Sequence, residues 1–276
     1  ANEKPSATGE KWLVRSIAQY DAKRRELLIQ TAGRDSEINP YYRDMCKVNI
    51  DTCELTTLVS DNFDHMISYP QQHLVLGLRE KNPAMVVRGD VNGVSPNGEF
   101  IVTTRSRVDT APVTVLFDRN GCEIMIVETA DVSNLPEGWV WPEPVMMKDA
   151  EGNNDTYGVI YRPPGFSPEK QYPVIDYVWS MRGVATVPVG SFHLDPLFGY
   201  TYSLSTALAA LGFIVVSIQE RGTPFRGKRF QDYYVNDIAG EHVLDDHVAG
   251  IKQLAQRYPS MDLKRVGITA AEQSPF

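Results

Sequence analysis

The densest group of side chains able to do chemistry is Glu241, His242, Asp245, Asp246 and His247. Carboxylates and imidazoles together serve general acid–base catalysis and metal binding. The spacing argues against a metal: His242 and His247 are five apart, which misses the i,i+4 geometry of a metal-binding helix. His242 and Asp246 do share a helical face. The group is expected to be a solvated helix start, where acidic residues favour the positive end of the helix dipole. His65, His73 and His193 have no partner pattern. Cys46, Cys53 and Cys122 are odd in number and irregularly spaced, so free thiols on strands and turns are expected rather than a disulfide framework or a zinc site. Asn154-Asp155-Thr156 is a glycosylation triplet of a kind that recurs by chance. No metal and no cofactor is expected.

Two kinds of element have to position these groups. Up to about Leu135 the text is strand and turn: "KWLVRSIAQYD", "RELLIQTAG", "YYRDMCKVNID", "LTTLVS", then "SPNGEFIVTTRSRV", "APVTVLFDRNG" and "CEIMIVET". β-Branched and aromatic residues dominate the runs, and Asp, Asn and Gly punctuate them. Short antiparallel strands of this kind suggest propeller blades or a sandwich. "GVSPNGEFIV" predicts a turn at Pro96, Asn97 and Gly98 followed by a strand. Tyr69 to Gly93 is read as two extra strands joined by "EKNP".

After "NLPEGWVWPEPV", a Pro- and Trp-rich linker, the pattern changes. "DTYGVIYRPPGF" and "YPVIDYVW" read as strands. "SLSTALAALGF" puts Leu204, Leu208 and Leu211 on one helical face and ends at Gly212. "FIVVSIQ" is the continuous apolar run of a buried parallel strand. "DDHVAGIKQLAQRYP" predicts a helix with Val248, Ile251 and Leu254 facing inward, and "RVGIT" the next strand. Strands alternating with helices are the α/β pattern. The fold class is therefore mixed β and α/β, with strand-rich residues 1–135 and an α/β unit over 136–276.

The 42% apolar content supplies a sizeable core, and a net charge of -8 repels a phosphate backbone, so nucleic acid is not expected as a partner. No apolar run is long enough to cross a bilayer. The opening "ANEKPSATGEK" has no signal-peptide core, which leaves a cytosolic, processed or excised chain.

"INPYYRDMCKVNID", "VSPNGEF", "SRVDTAPVTVL", "YGVIYRPPGF", "YPVIDYV", "LGFIVVSIQERGTPFRGKRFQD" and "YPSMDLKRVGIT" follow one another in the order of landmarks of the prolyl oligopeptidase family. The chain resembles that family from about Arg34 to Thr269, apart from an insertion at Tyr69 to Gly93, and most closely its dipeptidyl peptidase IV branch. The resemblance implies an antiparallel β-propeller over an α/β-hydrolase domain, and a parent protein that cleaves dipeptides from peptide N-termini, often after proline. It also implies a periplasmic or extracellular setting. Measured against it, the chain is expected to hold about one and a half blades, where a closed propeller needs at least four. The hydrolase sheet is expected to be about half complete.

In such hydrolases the strand "RVGIT" runs into the turn Gly-x-Ser-x-Gly that carries the nucleophile. Here Ala270, Ala271 and Glu272 take its first three positions, with Glu272 where the serine is expected and no glycine after it. Ser274 is two positions late and precedes Pro275. The acid and histidine of the triad come later in the hydrolase chain order, so the catalytic set is expected to be incomplete and this chain inactive. A shifted reading frame, an incomplete gene or a cut end would each give such a tail. Trp179 falls where the resemblance implies an oxyanion-stabilising tyrosine, and Ser180, Met181 and Arg182 replace the glycines and proline that usually follow. Arg221, just past "FIVVSIQ", lies at the sheet end where α/β proteins bind ligands, but the matching Arg-Gly turn of the family is structural. The partner implied is a peptide substrate of the parent. Unpaired strand edges predict a homo-oligomer. The rival expectation is a non-catalytic scaffold used for binding or assembly.

Overall fold

The computed structural model describes residues 12–67, 93–178, 185–192, 199–236 and 241–270. The alternating sequence of the first half folds into hairpins. β1 (Leu13–Asp21), β2 (Glu26–Ala32), β3 (Arg43–Asn49) and β4 (Leu55–Val59) form a four-stranded antiparallel sheet in chain order. β5 (Asp64–Met66), β6 (Phe100–Ser106), β7 (Val113–Asp118) and β8 (Glu123–Thr129) form a second. The two share one apolar layer in which Met45 and Val59 meet Ile101, Val115 and Phe117. The predicted turn before β6 is present: Gly98 has φ 70°, and its amide donates to the Ser95 carbonyl at 2.8 Å. β5, three residues long, has too little sequence to carry a pattern. The strands expected between Tyr69 and Gly93 lie outside the described residues, apart from Gly93 itself.

The second half is a five-stranded mixed sheet of β9 (Glu143–Lys148), β10 (Asp155–Tyr161), β11 (Tyr172–Val178), β12 (Ile214–Gln219) and β13 (Met261–Ala270), in the order β13-β11-β12-β10-β9. β11 runs parallel to β12 and β13, while β10 is antiparallel to β12 and β9. Among the described residues, α1 (Gly199–Ala210) lies between β11 and β12, and α2 (Lys228–Asn236) and α3 (Glu241–Arg257) lie between β12 and β13. α1 covers one face of the sheet through Tyr202 and Ala209, over Val159, Tyr161 and Val215. α3 covers the other through Ile251 and Leu254, over Ile160, Val174 and Ile214. β12 is therefore buried on both faces, which is why its sequence is apolar without alternation.

Several expectations need correcting. The leucine stripe of α1 faces the sheet only in part: Leu208 packs against the core, but Leu204 and Leu211 are exposed, and Thr201, Tyr202, Ser205 and Ala209 are the buried positions. Small side chains let the helix lie close to the strands, and the one large ring, Tyr202, stacks edge-on against Tyr161 at 5.8 Å. Val248 on α3 points outward, half exposed, while Ile251 and Leu254 face inward as expected. Gly250 takes the inward position instead. A Cβ there would come within 2.7 Å of Ile218 Cδ1, so its absence lets α3 press onto β12. The linker ends sooner than its prolines suggest, because Pro144 lies within β9, on the sheet edge where a missing N–H is tolerated. β12 is parallel to one neighbour only.

Candidate functional site

The parallel strands β11, β12 and β13 point their carboxyl ends the same way, and open α/β sheets bind ligands beyond that edge. The register is close: Val178, the last residue of β11, pairs with Ala270, the last of β13. Trp179 and Glu272, the two site positions implied by the resemblance, follow these two strands directly and lie outside the described residues, as do Ser180, Met181, Arg182 and Ser274. The strands that lead to them are nevertheless adjacent.

Beneath this edge α3 turns a charged face inward. His247 is 1% exposed, Asp246 is wholly buried, and His242 is buried with them. The expected solvated helix start is thus overturned for these three, and only Asp245 of the acidic pair faces solvent. Burial is possible because each group finds a partner in the sheet or in the turns at its edge. His247 Nδ1 donates to the Asp176 carboxylate of β11 at 2.8 and 3.0 Å. Its Nε2 faces Glu220, just past β12, at 3.8 Å, a charge contact too long for a hydrogen bond. Burial works against the imidazolium, but the carboxylates of Asp176 and Glu220 outweigh it and lift His247 to about 10. A histidine held there keeps its proton through neutral pH, so it cannot accept one from a nucleophile. Its role is that of an ion-pair centre tying α3 to β11 and β12.

Arg221, 3% exposed, makes the second buried cluster. Its backbone amide donates to Asp246 Oδ2 at 2.9 Å and its Nε to both Asp246 oxygens at 3.0 Å. A terminal guanidinium nitrogen donates to Glu151. Asp246 Oδ1 also accepts the Ala150 amide at 3.0 Å, and His242 Nε2 donates to the Arg221 carbonyl at 3.1 Å. Burial disfavours the Arg221 charge, but its bonds to Asp246 and Glu151 more than restore it. One carboxylate thus joins the end of β12, the β9–β10 turn and α3. Gly222 follows with φ 91°, and a Cβ on it would meet Tyr234 at 2.8 Å, so only glycine fits.

The antiparallel half reaches the same edge. The buried Tyr41 hydroxyl lies 2.6 Å from Thr223 Oγ1, Arg15 stacks on Phe225, and Val108 inserts among Tyr161, Tyr177 and Tyr202. Tyr41 comes from "INPYYRD" and Thr223 from "QERGTPFRG", so two of the quoted motifs meet at this contact.

The remaining candidates fall away from the edge. His65 is buried between the antiparallel sheets and bonds Asp61 at 2.8 Å; His73 and His193 lie outside the described residues. Cys46 is buried beside Arg34 and Thr31, and all three cysteines are free. In the glycosylation triplet, Asn154 Nδ2 donates to Asp149 at 2.6 Å and Thr156 is fully buried, so this structure does not present the site to a modifying enzyme. Among the described residues, no cluster of three or more His, Cys, Asp or Glu could hold a metal ion, and no helix is long and apolar enough to cross a membrane.

Comparison with known proteins agrees with the motif series. Residues 200–270 match the model of the prolyl oligopeptidase family. Human dipeptidyl peptidase 8 is 35% identical over 112 residues, which is 41% of this chain and 12% of that protein. A probable dipeptidyl-aminopeptidase B of Aspergillus fumigatus is 28% identical over 150 residues, 53% of this chain and 15% of the relative. The matched stretch thus spans less than a sixth of either relative. The solved structure of a putative dipeptidyl aminopeptidase IV from Bacteroides ovatus superposes with a TM-score of 0.70 at 21% identity, covering 98% of this chain and 35% of that one. At that identity the superposition speaks for the fold alone.

Proposed function

We propose, for a chain whose sequence and fold resemble the dipeptidyl peptidase IV branch of the prolyl oligopeptidase family, that it is part of a serine exopeptidase of that kind. In this reading the two antiparallel sheets are propeller blades, residues 1–135, and the mixed sheet is the first half of an α/β-hydrolase domain, residues 136–276. The parent would hydrolyse dipeptides from peptide N-termini, by attack of an elbow serine and formation of an acyl-enzyme. The observation that carries this reading is the pairing of Val178 with Ala270. It sets side by side the two strands from which the family draws its oxyanion donor and its nucleophile.

The same positions argue that this chain does not itself turn over substrate. Glu272 offers a carboxylate where a hydroxyl is needed; of the described histidines near the edge, His247 is locked between carboxylates and His242 is bonded to the Arg221 carbonyl. A fluorophosphonate probe and a prolyl-dipeptide chromogenic substrate test this. No labelling and no turnover are expected; stoichiometric labelling, or turnover blocked by the probe, would refute inactivity. Glu272 also favours the second reading, a scaffold that binds without catalysis. Binding of a prolyl dipeptide in equilibrium dialysis, without turnover, would separate the two.

The unit boundary and the assembly state have their own tests. Trp139 and Trp141 of the linker pack against Phe192 at 6.1 and 5.5 Å, so first proteolytic cuts are expected before them, near Ala130 to Pro136. A first cut inside β12 would end the two-unit picture. Edge strand β8 leaves Ile124, Met125, Ile126 and Val127 about half exposed, which favours a homo-oligomer. A monomer in sedimentation at micromolar concentration would count against it.

A further inference from the structure

The turn that follows β12 reads Thr223-Pro224-Phe225-Arg226, and Phe225 has φ 73°. Pro224 sets the first corner of such a turn. The next position, where φ is positive, calls for Gly or Asn, because a Cβ crowds the backbone there. A bulky aromatic in this conformation is strained and persists only when its surroundings hold it. Here they come from the far end of the sequence. The Arg15 guanidinium of β1 lies over the Phe225 ring, 3.3 Å from its centroid. Arg15 is in turn fixed by donating to the Tyr41 carbonyl, and the Tyr41 hydroxyl is bonded to Thr223 in the same turn. Burial and the neighbouring Arg43 both work against the Arg15 charge, so the seat must return something for it.

We propose that Arg15 and Phe225 form a latch: the antiparallel half holds the turn of residues 221–227 in a strained conformation at the carboxyl edge of the mixed sheet. A glycine would take the same backbone without strain, and the contact on the ring's face is the one with Arg15. The two halves are then mechanically coupled through a cation on an aromatic face, and not only through apolar packing. Thr223 Oγ1 also donates to the Glu220 carbonyl at 3.0 Å, so the latch reaches the residue that faces His247. The inference does not depend on the peptidase reading.

Hydrogen exchange on the full chain, comparing the parent with Arg15→Gln, Phe225→Gly and the double variant, tests it. Cation–π contacts of this kind are worth a factor of about two to thirty in an equilibrium, so Arg15→Gln should speed exchange across residues 221–227 by that much. In the Phe225→Gly background the same change should have no effect there. Unchanged exchange in Arg15→Gln overturns the latch. So does an equal rise across α1 and α3, which would mean that Arg15 supports only global stability. If Arg15→Gln does not fold, Phe225→Gly is set against Phe225→Ala, both lacking the ring. Strain predicts that the glycine variant is the more stable in urea, and the reverse order overturns the proposal.

Discussion

Replacing Asp246 by alanine should be among the most damaging single changes in this chain. The carboxylate is wholly buried and accepts four contacts: the Arg221 amide, the Ala150 amide, and Arg221 Nε on both oxygens. Removing it leaves two backbone N–H groups without that acceptor, at about 1–3 kcal/mol each. It also strips the principal partner from a buried guanidinium, and breaking such a pair costs about 3–5 kcal/mol. These losses overlap, because Arg221 keeps Glu151, which is half exposed, and Asp149 at 3.8 Å. A net loss of about 4–6 kcal/mol follows, comparable with the whole stability of many domains and equivalent to a drop in Tm of roughly 10–20 °C. Urea unfolding is the assay, with Asp245→Ala as control, since Asp245 is exposed and should shift stability by no more than about 0.5 kcal/mol. The double variant Arg221→Met/Asp246→Leu should lose much less than the sum of its parts, because no charge is then stranded. If Asp246→Ala unfolded within about 1 kcal/mol of the parent, the account of this network would be wrong.

His247 is raised from 6.5 to about 10 in the folded chain, so between those values the native state binds the extra proton. Its contribution is complete below about pH 6.5 and is lost as pH rises through 10; urea midpoints should fall over that window, and less steeply in His247→Gln. Equal slopes for parent and variant would refute the assignment. Cys53 and Cys122 are exposed while Cys46 is buried with its thiol pushed up by burial, so an aromatic disulfide reagent should titrate two thiols quickly and the third only in denaturant. Three fast thiols would place Cys46 wrongly.

Most of the strands were legible because alternation and turn residues report directly on which side of a sheet faces a core. β6 shows the alternation in its burial, and turn residues set off the others, as at Gly98; β8 is exposed along its whole length and was legible from its β-branched residues and flanking turns alone. β9 was hidden by Pro144, which reads as linker unless one knows that its strand lies at a sheet edge. α1 misled for a different reason. A leucine stripe predicts an inward face when a helix covers a sheet at ordinary distance, but here Ser205 and Ala209 make a flatter surface, and of the three leucines only Leu208 packs against the core. The pattern gave the helix correctly and its orientation only in part.

The charged end of α3 could not have been read in the same way. Acidic residues and histidines at a helix start are usually solvated, and nothing local distinguishes His247 from an exposed histidine. Its burial depends on Asp176, on another strand, and on Glu220, past a third element. One signal was present: Asp176 interrupts "YPVIDYV", a carboxylate in a run of β-strand residues otherwise destined for the interior. A buried acid requires a cation or hydrogen-bond donors from elsewhere in the fold, and α3 packs on the face of the sheet toward which Asp176 turns. Likewise Arg221 follows "FIVVSIQE", so its guanidinium emerges where an apolar strand ends and must find anions nearby, which Asp246 and Glu151 supply. Charges within or just past apolar runs thus signal that partners exist, and only the tertiary arrangement says that α3 and the β9–β10 turn provide them.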